Sequence, residues 1–141
     1  MKRYIFSLIF IVPALFSMAG PAAFEKKIAK SLETTLGHYV KIQKSVNHDN
    51  NIVIAGTTTG YHTPSKVVVA RFLEDGKLDS LFNGTGYIEK VMACASSVIT
   101  ALQILVNNKI KVSGFTNLGR FKKPFTFTFS STGVEISKKG K

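Results

Sequence analysis

Short apolar runs alternate along this chain with clusters of Gly, Asn, Asp and Ser. The spacing suits strands better than helices. Residues 39–46, 52–56, 66–73, 87–92, 97–106, 109–114 and 124–130 each read as a strand. The last alternates strictly, with Phe125, Phe127 and Phe129 on one face, which is the period of a half-buried strand. His48-Asp-Asn-Asn51 and Asn107-Asn108 are hairpin signals, because Asn and Asp tolerate positive φ and bond their own backbone. Residues 57–65 form a polar loop holding Gly60 and Pro64, Glu74-Asp-Gly-Lys77 a turn, and residues 115–123 a loop rich in Lys and Arg.

Two halves of this pattern correspond. Ile52-Val-Ile-Ala-Gly56 matches Ile110-Lys-Val-Ser-Gly114, glycine included. Residues 30–40 align with 77–88, so that Leu32 answers Leu78, Glu33 answers Asp79 and Leu36 answers Phe82. The same stretch has a second reading, since Phe24, Ile28, Leu32 and Leu36 recur every four residues as on one face of an amphipathic helix. The repeat is the preferred reading, with a helical turn or two before it. The expected organisation is a first segment at 1–19, a linker or short helix at 20–31, repeat one at 32–77, repeat two at 78–136 and a basic tail at 137–141.

The first segment changes the picture of where the chain goes. Met1-Lys2-Arg3 leads into an apolar run, and Ser17-Met18-Ala19 places small residues before Gly20. Charged start, short apolar core and small-residue exit make a secretory signal pattern. A retained membrane anchor is the alternative, but the run is short of the roughly 20 residues a span needs and contains Pro13. Export to the periplasm or outside the cell is therefore expected. The formal net charge of +11 would suggest nucleic acid for a cytosolic chain. For an exported chain it points to anionic envelope polymers, membrane surfaces or acidic partners, and no nucleic acid is expected. Cys94 is the single cysteine, so no internal disulfide can form, and it reads as a small buried hydrophobe.

The order of turn, glycine-ended strand, loop, strand, Asp-Gly-x-Leu-Asp-x-x-Phe and Gly-rich turn resembles the delta-60 repeat family of exported, β-propeller-like repeats. The residues carrying the resemblance are 52–56, 69–72, Asp75, Gly76, Lys77, Leu78, Asp79, Phe82, Gly84 and Gly86, with 110–114 and 127–133 in the second copy. It implies an all-β chain of antiparallel repeats, like two propeller blades in an incomplete propeller or curled sheet, preceded by a signal helix. Two copies must then curl on one another, meet other chains, as in a homo-oligomer, or represent a reduced or truncated member, since a lone repeat cannot bury its own face.

Candidate chemistry is sparse. Asp79 reads as a cap on the turn that follows, with Phe82 tucked beneath and Asp75, Gly76, Gly84 and Gly86 completing a structural corner. Asp75, Asp79 and Asn83 lack the spacing of a calcium loop. His38, His48 and His62 are scattered, which gives zinc little support. No nucleophile elbow, P-loop or dinucleotide fingerprint is present, so no cofactor and no enzymatic activity are expected. The functional lead is a basic patch of Lys109, Lys111, Arg120, Lys122 and Lys123, flanked by Phe115 and Phe121, that could hold an anionic polymer or surface.

Overall fold

The computed structural model describes residues 13–59, 63–93 and 96–136, and for 13–22 the backbone alone. Helix α1 (Pro13–Leu36) precedes seven strands: β1 (Lys41–His48), β2 (Asn51–Thr58), β3 (Lys66–Phe72), β4 (Tyr87–Val91), β5 (Ser97–Ile104), β6 (Ile110–Leu118) and β7 (Phe121–Phe129). Every pairing is antiparallel and follows chain order, β1-β2-β3-β4 in one sheet and β5-β6-β7 in the other. The sheets remain separate and unclosed. The expected start of a signal at residues 1–12, Gly60, His62, Cys94 and the tail at 137–141 lie outside the described residues. No helix among the described residues is long and apolar enough to cross a membrane.

The ribbons β1-β2-β3 and β5-β6-β7 repeat one geometry down to its irregularities. Ile42 opposes Gly56, then the ladder slips so that Lys44 opposes Ala55. In the second ribbon Ile99 opposes Gly114, and the slip brings Ala101 opposite Ser113. A bulge draws the facing backbone close. A Cβ on Gly56 would sit 2.6 Å from the Lys41 carbonyl oxygen, and one on Gly114 would run into the Val98 carbonyl oxygen. The hairpins turn on Asp49-Asn50 and Asn107-Asn108, all four at positive φ. The closing turns also correspond: Gly76 donates to the Leu73 carbonyl and Leu73 to that of Lys77, as Gly133 does to Ser130 and Ser130 to Val134. Phe72 then bridges Leu78, and Phe129 bridges Glu135.

Three layers result. Phe24, Ile28 and Leu32 of α1 bury against Ile52, Ile54, Ala70 and Phe72 on one face of the first sheet. Val53, Ala55, Val67 and Val69 on its other face meet Ile99, Ile110, Val112 and Phe129 of the second sheet. Strands β2 and β3 are covered on both sides, which explains why they read as unbroken apolar runs.

Helix α1 corrects one expectation. It takes in 20–31, where a linker or short helix was expected, and runs on into the first residues of the expected repeat one, so Leu32-Glu-Thr-Thr-Leu36 is helical whereas Leu78–Phe82 is a bridge and turn. The four-residue apolar spacing is the signal that prevails, because a sheet face is available to cover that stripe. The helix stops at Gly37, whose φ is +77° and whose N–H donates to the Glu33 carbonyl at 2.9 Å. The basic stretch at 115–123 is likewise no open loop. Strands β6 and β7 continue through it, Leu118 opposite Phe121, around a two-residue turn at Gly119-Arg120.

One edge of the second sheet is specially treated. In β3 the Arg71 N–H donates to Gly86 and its carbonyl accepts from Asp79, so both point to the side of β4. Thr128 holds the matching place in β7, its carbonyl accepting from Ile136. Strand alternation puts Pro124 on that same edge, with no N–H to offer and with Lys122 and Lys123 beside it.

Candidate functional site

The corner expected around Asp79 is present, and Asp79 is more than a cap. One carboxylate oxygen accepts the Leu81 N–H at 3.1 Å, as a capping residue does. The other accepts from Arg71 Nε at 2.7 Å and from the Asn51 amide at 3.3 Å. Both charged side chains are nearly enclosed, Arg71 10% and Asp79 6% exposed. Arg71 lies 5.0 Å from the centroid of the Phe82 ring and donates through Nη1 to the Ser131 carbonyl. The Asn83 N–H donates to the Thr132 carbonyl at 2.7 Å. The turn that follows β7 is therefore docked on the corner that follows β3. Both Asp79 oxygens and the Nε and Nη1 groups of Arg71 are thus bonded within the fold.

The companion residues serve the same corner. The Asp75 side chain accepts the Lys77 N–H at 2.9 Å within the turn, and its carbonyl accepts from Lys27 of α1. Gly76, Gly84 and Gly86 all have positive φ. A Cβ on Gly86 would come 2.7 Å from the Leu78 Cβ, so the return into β4 needs glycine there.

The basic patch divides. Lys109 and Lys111 lie at the start of β6, whereas Arg120, Lys122 and Lys123 lie around the hairpin at its far end. A nine-residue strand spans about 30 Å, so the two groups cannot grip one small ligand. The hairpin group gathers closely. Lys122 lies on the outer face with its Nζ 4.6 Å from the centroid of Phe115, and Arg120 occupies the turn. Phe121 and Lys123 share the opposite face with Leu118.

Two polar features escape sequence reasoning. Gln43 sits in the β1 bulge, donates to the Thr57 hydroxyl at 2.7 Å and accepts the Ile99 N–H, tying the sheets together at the edge of β5. His38 Nε2 lies 3.1 Å from Glu89, which Lys66 also approaches at 3.4 Å. These residues adjoin a shallow surface cleft of about 420 Å³ that Tyr39 and Thr58 help to line. The lone arginine inside the apolar strand 66–73 was the available signal for Arg71. Nothing in local pattern marks Gln43 or the His38–Glu89 pair, whose partners are distant in sequence. Among the described residues no group of His, Cys, Asp and Glu could hold a metal ion. No family model matches the chain, and neither a curated protein nor a solved structure shows significant similarity to it.

Proposed function

We propose that this chain is an exported, non-catalytic β-repeat module that acts by contact, related in form to the delta-60 propeller-like repeats. The observation that carries this reading is the duplicated ribbon, with equivalent bulges, hairpins and closing turns. The first sheet also has the four strands of a propeller blade. The most enclosed charged pair among the described residues, Arg71 and Asp79, is tied through Arg71 to the turn after β7, a structural use that favours a scaffold over a catalyst. Basic residues gathered at one hairpin favour, as a second reading, an anionic surface or acidic partner as the contact.

Export is tested by fractionating cells that express the full chain and weighing the product. The expected form lacks residues 1–19 and leaves the cytosol. A full-length cytosolic product would overturn the reading, and a full-length membrane-bound one would replace the signal by an anchor.

A further inference from the structure

We infer that the β6–β7 hairpin tip is a peripheral contact for an anionic lipid surface, with Phe121 and Leu118 entering the interface and Arg120, Lys122 and Lys123 meeting headgroup phosphates. Three observations converge on it. First, the ladder runs two pairs past Thr116 and Lys123, the equivalents of Thr58 and Lys66, where the β2–β3 pairing of the first ribbon ends. The tip extends beyond the packed part of the sheet, and residues 118–124 are all exposed.

Second, the tip is apolar as well as basic. Phe121 is 75% exposed and Leu118 41%, and they face each other across the last pair of the ladder. A purely ionic polymer site gains nothing from a bare phenylalanine beside its cations. A lipid interface rewards both, the apolar side chains below the headgroups and the cations among them. Third, no ion pair among the described residues engages these cations. The sequence contains no Asp or Glu between Lys90 and Val134, and the flanking Glu89 and Glu135 are paired to Lys66 and Lys90. Lys122 is held outward by its contact with Phe115.

The inference rests on the exported-module reading only in that export brings the chain to a lipid surface. The chain has no tryptophan, so Phe121→Trp in the full-length protein reports from the tip alone. With vesicles containing about 30 mol% phosphatidylglycerol, the Trp emission is expected to shift to the blue and to be quenched by brominated acyl chains. Pure phosphatidylcholine and moderate salt should abolish both effects. Arg120→Ser/Lys122→Ser/Lys123→Ser should lower partitioning by about a hundredfold, and Phe121→Ser by about tenfold, with thermal midpoints unchanged.

Vesicle binding without quenching of the tryptophan would place the contact elsewhere, as in the apolar first segment, and would overturn the inference. Heparin binding that needs the three cations but ignores Phe121→Ser, without vesicle binding, would replace lipid by a polyanion. A processed, exported chain that ignores vesicles would sink this inference and leave the module reading standing. A cytosolic, unprocessed chain that still binds them through the tip would do the reverse.

Discussion

At the scale of single residues, Arg71 and Asp79 carry the highest stakes. The pair is nearly dry, so removing one partner strands the other charge in a low-dielectric site. Arg71→Met is expected to cost about 3–5 kcal/mol, read as a shift in urea midpoint. Arg71→Met combined with Asp79→Asn should recover much of that loss, because the amide oxygen still accepts from Leu81 and the new NH2 can donate to Asn51 once that amide turns its oxygen toward it. A double variant as unstable as the sum of the single ones would show that the ion pair itself matters little. Gly114 makes a different demand. Its φ is ordinary, but no room exists for a Cβ beside the Val98 carbonyl and the Phe125 ring. Gly114→Ala should lower stability by about 1–3 kcal/mol, whereas Gly119→Ala, with nothing within 4 Å, should cost only the strain of a positive φ. Equal effects at the two sites would contradict a steric origin.

At the scale of elements, the strands were legible because their signals are local. Alternation marked Phe125, Phe127 and Phe129, and the Asp-Asn and Asn-Asn pairs marked both hairpins at the positive-φ residues where they occur. The corner at Asp75 to Gly86 was legible for the same reason. Helix α1 is less legible, since a partial match to Leu78–Phe82 competes with a regular four-residue stripe. Only a waiting sheet face decides such a contest, and that face is built by residues 52–72. The basic stretch reads as a loop in sequence because Thr116 and Asn117 weaken the alternation, while the pairing that makes it a hairpin lies between strands. The bulges were invisible for a related reason: register is a property of two strands, and a lone sequence shows one at a time. The matched glycines at 56 and 114 were their trace.

At the scale of the whole molecule, the helix and the second ribbon pack on opposite faces of the first sheet through two separate apolar clusters, and solubility depends on how the open edges are managed. Pro124 and the neighbouring lysines blunt β7 against pairing with another chain. Pro124→Thr restores an N–H on that edge and is expected to raise the apparent mass in sedimentation at high concentration. The unaltered chain should run as a monomer, and a discrete ring-sized oligomer would instead indicate closure between chains. The docking of Ser131 and Thr132 on Arg71 and Asn83 has a consequence in time. Because the ribosome delivers the chain from its N-terminus, the first sheet must wait for residues some sixty positions downstream before its enclosed arginine is fully satisfied. The first sheet is therefore expected to reach its final stability only late in synthesis, a delay that would suit the proposed export, in which the chain is threaded through a narrow channel while still extended.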